Sequence, residues 1–167
     1  MDRFVLRIRA AYWGDCYDPS EALNDILNVH VRKGLGLSVW RYESDEEREV
    51  CACIMVERRQ DAASGNLQVV EVEGTVLREA GFAPSHTPDR ADSSHVDARR
   101  LHHDVEGLDE SRAAILRDLL HARGRLRIYR KADLWPLLER ELTKFEDEAT
   151  REALRLSVAQ AKAKRSP

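Results

Sequence analysis

Short runs of alternating apolar and polar residues recur along the chain, and segments with helical spacing separate them. The alternation predicts strands, because successive side chains of a strand point to opposite faces of a sheet. The first predicted strands and helices are, in chain order, Phe4–Arg9, Pro19–Lys33, Leu37–Tyr42, Asp45–Arg59 and Leu67–Val72. Strands that alternate with helices are typical of an α/β domain, because a parallel strand needs a crossover connection.

Capping residues mark the starts of the first two helices. Asp18 precedes Pro19, and proline is favoured at the first helical position. Ser44 and Glu47 form a capping box in front of the second helix. A strand over Val50–Val56 is the alternative for this segment, but the acidic residues before it and the arginines after it favour a helix.

A long loop interrupts the pattern in the second half of the chain. Residues 83–97 lose all periodicity, and loops of this length tend to be functional or disordered. The predicted elements after the loop are a strand through Leu101, His103 and Val105, a helix capped by Asp109, a strand through Leu126 and Ile128, and helices over Leu134–Phe145 and Ala149–Lys164.

These elements predict one α/β domain over residues 1–146, with a mostly parallel sheet of about five strands flanked by helices. Residues 147–167 are expected to form a C-terminal helix and a basic tail, packed on this domain or on a partner. The alternative is an α+β sandwich with a mixed sheet, because the order of strands cannot be read from one sequence.

Composition limits the possible partners and the compartment. The 167 residues carry a net charge of −3, which gives no overall basic field to attract nucleic acid or an anionic membrane. The odd number of cysteines, Cys16, Cys51 and Cys53, is typical of reduced intracellular thiols. The sequence shows no signal-peptide pattern and no apolar window long enough to span a bilayer, so we expect a cytoplasmic protein without a membrane partner.

The candidate catalytic residues are Asp15, His103 and Asp104. In a parallel sheet, the loops that follow the strands meet at one edge, where ligands bind. Asp15 follows the first predicted strand, and His103 and Asp104 belong to the fourth. Carboxylates from separate strands can hold Mg²⁺ for phosphoryl transfer. The simpler interpretation is that such residues are ordinary polar side chains of caps and loops.

No metal site and no cofactor are predicted. His102 and His103 are adjacent, and adjacent residues of a strand point to opposite faces, so they cannot bind the same metal ion. Cys51 and Cys53 have no second pair of ligands and are interpreted as buried thiols. The chain also lacks a P-loop, a dinucleotide-binding glycine motif after a strand and a nucleophile elbow.

Arg125, Arg127 and Lys131 are the candidate contacts to nucleic acid, with Tyr129 available to stack on a base. The alternative is that these charges belong to an edge strand and prevent it from pairing with other sheets.

Three functions remain open from the sequence. The absence of catalytic motifs favours a non-enzymatic, bacterial-type cytoplasmic accessory protein that binds another protein or itself through its C-terminal helices and exposed aromatic residues. The first alternative is a small enzyme that processes phosphodiesters or phosphates with a divalent metal. The second is a nucleic-acid-binding protein, which the net charge does not favour.

Overall fold

Six strands pair into one sheet in the computed structural model, which describes residues 2–9, 12–27, 36–57 and 66–163. The strands of this described part are β1 (Arg3–Arg7), β2 (Leu37–Tyr42), β3 (Leu67–Glu73), β4 (Ser85–His86), β5 (His102–Val105) and β6 (Arg125–Tyr129). Their order across the sheet is β4-β5-β2-β1-β3-β6, and every neighbouring pair is antiparallel.

Helices cover both faces of this sheet. They are α1 (Pro19–Ile26), α2 (Asp45–Glu57), α3 (Gly74–Glu79), α4 (Ala98–Leu101), α5 (Glu110–Arg123), α6 (Lys131–Glu141) and α7 (Glu148–Ala163), with short 3-10 turns at Pro88–Arg90 and Leu142–Lys144. The helix predicted for residues 45–59 is confirmed as far as Glu57, so the alternative strand is wrong. The later parts of both early predicted helices, at residues 28–33 and 58–59, lie outside the described residues.

The prediction of a mostly parallel sheet is wrong, because all pairs of neighbours are antiparallel. Strands β2 and β3 do run in the same direction and are joined through α2, as a crossover requires, but β1 lies between them. Strands β5 and β6 are likewise parallel to each other and joined through α5, with three strands between them. Both crossovers therefore connect strands that are not neighbours in the sheet, and the strands between them pair antiparallel with their own neighbours. The α+β alternative fits in part.

The two faces of the sheet carry separate apolar clusters. One face, here called the α2 face, carries Val5, Trp40 and Val69 and packs against α2, α4, α6 and α7. The opposite face, here called the α5 face, carries Leu6 and Val70 and packs against α1, α3 and α5. Because both faces are covered, the central strand β1 has a continuous buried apolar run at residues 4–6.

Helix α2 is buried along most of its length, from Val50 to Val56. The sheet lies on one side of it and α6 on the other, so its apolar residues are not confined to one stripe. Cys51 and Cys53 are free and buried there, as predicted. Burial raises the pKa of both thiols, that of Cys53 to about 12, so neither is a nucleophile at neutral pH.

Candidate functional site

The structure does not bring the three predicted catalytic residues together. Asp15 is exposed in the loop between β1 and α1. His103 lies on the α5 face, where its ring packs edge-on against Phe4 with the ring centroids 5.5 Å apart. Asp104 follows it in β5 and therefore lies on the opposite, α2 face. A single reaction centre made of these side chains has no geometric support.

Asp104 belongs instead to a buried polar network with Thr87, Arg90 and His102. Its carboxylate is 1% exposed, accepts a hydrogen bond from Arg90 Nη1 at 3.2 Å and lies 3.8 Å from His102 Nε2. His102 Nδ1 lies 2.9 Å from the carbonyl oxygen of Thr87. Sequence reasoning missed these partners, although His102 and Asp104 are two residues apart on a strand and must share a face.

The surroundings of His103 disfavour its charged form. Burial lowers its pKa, and His86, with ring centroids 5.1 Å apart, adds to that effect if it is charged. Its Nδ1 lies 3.2 Å from the carbonyl oxygen of Leu101, which orients the ring within its own strand. Among the described residues, no three His, Cys, Asp or Glu side chains are placed to hold a metal ion.

A cavity of about 880 Å³, here called the sheet-end cavity, opens on the α2 face where β1 ends and β2 begins. Its floor includes Arg7, Ser38 and Trp40 from these two strands. The C-terminal end of α2 and the loop at residues 91–94 form one wall, and Thr150 of α7 lies at another side. Segments far apart in sequence therefore build one concavity.

Glu57, the last residue of α2, fixes the wall that contains the loop. Its carboxylate accepts hydrogen bonds from the Ser94 amide at 2.9 Å and from Ser94 Oγ at 2.6 Å, and it also contacts Ser93 Oγ. Ser93 Oγ in turn accepts a hydrogen bond from the His95 amide at 3.2 Å. The negative charge of Glu57 is thus already stabilised by three donors.

Asp25 is fixed in the same way on the other side of the cavity. It accepts hydrogen bonds from the Arg9 amide at 2.9 Å and from Trp13 Nε1 at 3.1 Å, and Arg9 Nε lies 3.3 Å away. These contacts tie α1 to the chain that leaves β1. The remaining charged residues of the lining, Arg7 and Asp92, also interact with other residues. Among the described residues, every ionised side chain of the lining is therefore engaged within the protein.

The predicted nucleic-acid contacts lie along β6 and at the start of α6. Arg127 is half-buried, donates to Glu71 and lies over the ring of Tyr129 at 5.9 Å. Arg125 is exposed, and Lys131 is partly buried at the start of α6. Tyr129 is 7% exposed, so its ring cannot stack on a base. Strand β6 lies at the edge of the sheet, as the alternative interpretation expects.

The surfaces expected to bind a protein partner are used within the fold only in part, because Leu156 of α7 is 53% exposed. Leu154 and Val158 of α7 are buried in the apolar cluster on the α2 face. Of the early aromatic residues, Trp13 is buried, and Tyr17 stacks on His121 with the ring centroids 3.6 Å apart. These side chains therefore leave little apolar surface for a partner.

No protein-family model matches the chain, and neither curated proteins nor solved structures give a match. In the part of the chain that the structure describes, no helix has the length and apolar character needed to cross a bilayer.

Proposed function

We propose that this protein binds a small polar molecule, neutral or zwitterionic, in the sheet-end cavity, and that it acts as an accessory protein. The observation that carries the proposal is a cavity of about 880 Å³ in which all the charged side chains contributed by the described residues are engaged within the protein. Ligand sites in proteins occupy roughly 300–1,000 Å³, so the size is suitable.

The lining determines the class of ligand. A ligand with a large net charge would need an uncompensated charge of opposite sign, and the lining offers none among the described residues. The hydroxyl groups of Ser38 and Thr150 can each donate and accept, which suits hydroxyl or amide groups of a ligand. Trp40 and Met55 also line the cavity, but both are buried, so a ligand would be held mainly through polar contacts.

We propose that the protein binds this ligand in the cytoplasm, where it acts as an accessory protein. The three cysteines are unpaired, which suits a reducing compartment. The metal-dependent enzyme stays a prediction to which the positions of Asp15, His103 and Asp104 add no support.

Thermal unfolding in the presence of neutral sugars, nucleosides and amino acids tests the proposal. A bound compound at ~100 times its Kd stabilises the folded state by ~2.7 kcal/mol, which for this size corresponds to a rise in Tm of about 5–10 °C. Ser38→Phe should fill the floor of the cavity and abolish the rise. Ser111→Phe, at an exposed position of α5, is the matched control and should retain it.

Two results would overturn the proposal. One is a panel in which no compound raises the Tm of the wild-type protein. The other is a folded Ser38→Phe variant with an unchanged response to the same compound. If Ser38→Phe does not fold, Thr150→Trp blocks the cavity from α7 and decides the question in its place.

A further inference from the structure

The outer side of β6 carries backbone groups that pair with no other described residue. The Ile8 amide donates to the Gln68 carbonyl at 3.0 Å, so the backbone groups of Gln68 point towards β1. Backbone groups alternate in direction along a strand, and those of Val69 therefore point towards β6, where Arg127 lies opposite. The N–H and C=O groups of Leu126 and Ile128 consequently point away from the sheet.

The side chains along this edge have two different characters. Arg125 and Arg127 lie on the α2 face, and Leu126 and Ile128 lie on the α5 face. Ile128 is 47% exposed, whereas isoleucine is usually buried. The edge thus presents basic side chains towards one face and apolar side chains towards the other.

Three exposed arginines near this edge have side chains that form no ion pair within the described part of the chain. Arg123, Arg125 and Arg130 are all exposed, and none of them forms an ion pair with any residue of the described part. Arg127, in contrast, is paired with Glu71. The positive charge of the three exposed arginines is therefore available to a partner.

We propose that β6 binds an extended acidic segment of another protein, which adds to the sheet as a further strand. The outward groups of Leu126 and Ile128 would form the backbone hydrogen bonds. Side chains of the segment would alternate, with acidic residues near Arg125 and apolar residues near Ile128. This surface is separate from the sheet-end cavity, so the inference goes beyond the ligand-binding function.

The same geometry argues against two other occupants. If two copies joined through β6 with Leu126 opposite Ile128, Arg127 of one copy would face Arg127 of the other, and like charges directly opposite are unfavourable. Nucleic acid would lack a stacking partner here, because Tyr129 is buried. A peptide uses the backbone groups, the apolar side and the basic side of the edge together.

Fluorescence anisotropy with a short capped peptide that alternates glutamate and valine tests the proposal. Ile128→Pro removes one outward N–H and leaves the bonds to β3 intact, because proline is tolerated on the open side of an edge strand. We expect it to weaken peptide binding about tenfold, while the control Ile128→Thr retains most of the affinity. Arg125→Glu should weaken binding about fivefold at low salt.

Three reference probes, two peptides and an oligonucleotide, distinguish an acidic strand from other ligands of this edge. A lysine-for-glutamate peptide should not bind, and N-methylation of alternate amides in the acidic peptide should abolish binding. No binding of the acidic peptide at millimolar concentration would overturn the proposal. So would a single-stranded oligonucleotide that binds more tightly, or a dimer in light scattering that Ile128→Pro disrupts. If Ile128→Pro does not fold, the response of Arg125→Glu to the acidic peptide decides the question.

Discussion

Glu71 is a buried carboxylate on β3, next to the edge strand β6, and its replacement should strongly destabilise the protein. It lies on the α2 face of β3, with its side chain 8% exposed. Arg127 Nε donates to it from β6, and Arg48 Nε of α2 lies 3.8 Å away. The carboxylate therefore holds two arginines that belong to different elements.

The size of the effect follows from the exposure of these arginines. In Glu71→Ala, the Arg127 side chain, 27% exposed, loses its counter-charge. The Arg48 side chain, 14% exposed, loses one of two and keeps Asp45, whose Oδ1 lies 2.6 Å from its Nη1. Removing one partner of a buried ion pair lowers the free energy of unfolding by about 3–5 kcal/mol. Arg127 lies on an edge strand and can turn towards water, so we expect a loss of ~3 kcal/mol, near the lower end of that range. This corresponds to a fall in Tm of about 6–12 °C.

Urea unfolding of Glu71→Ala, compared with the wild type, measures this loss. Glu73→Ala is the matched control, because Glu73 ends the same strand, is exposed and caps α3 without a side-chain hydrogen bond. Its effect should stay within about 0.5 kcal/mol. A double variant, Glu71→Leu with Arg127→Leu, should recover part of the loss, because it removes two charges together. A Glu71→Ala variant as stable as the control would refute the reasoning.

Two further predictions concern the pH dependence of stability and the reactivity of the cysteine thiols. Burial lowers the pKa of His95 and His103 below the ordinary 6.5, so near that pH the unfolded chain takes up protons that the folded chain does not. The free energy of unfolding should therefore fall as the pH drops below about 6.5, by at most ~1.4 kcal/mol per pH unit for each histidine. Urea unfolding of His103→Phe should show a shallower pH dependence; an identical slope would contradict the assignment. A thiol reagent should label only Cys16 in the folded protein, and Cys51 and Cys53 only after unfolding, whereas rapid labelling of all three would contradict their burial.

Local chemistry made the elements predictable, whereas the order of the strands depends on distant contacts. The predicted bounds of β2, Leu37–Tyr42, match the structure, and the Asp18 cap accepts hydrogen bonds from Ser20 and Glu21 as its position suggests. A helix between two strands correctly indicates that β2 and β3 run in the same direction. It cannot show that β1 is inserted between them, because that pairing joins residues dozens of positions apart.

In the candidate site, too, local sequence predicts some features, and others depend on contacts between distant segments. Strand alternation, applied to residues 102–104, places His103 and Asp104 on opposite faces and His102 on the face of Asp104. That inference was available from sequence once the strand was recognised. The sheet-end cavity was not, because β1, β2, α2 and α7 each contribute only one or a few side chains. No local pattern marks such a site.

An NMR titration of the labelled protein with the neutral sugars, nucleosides and amino acids is the decisive measurement for the sheet-end cavity. We predict that a binding compound shifts the amide signals of Ser38, Ser94 and Thr150 together and leaves that of Ile128 unchanged. Shifts that fall elsewhere on the described surface, with these three signals unmoved at saturation, would contradict the assignment of the cavity as the binding site.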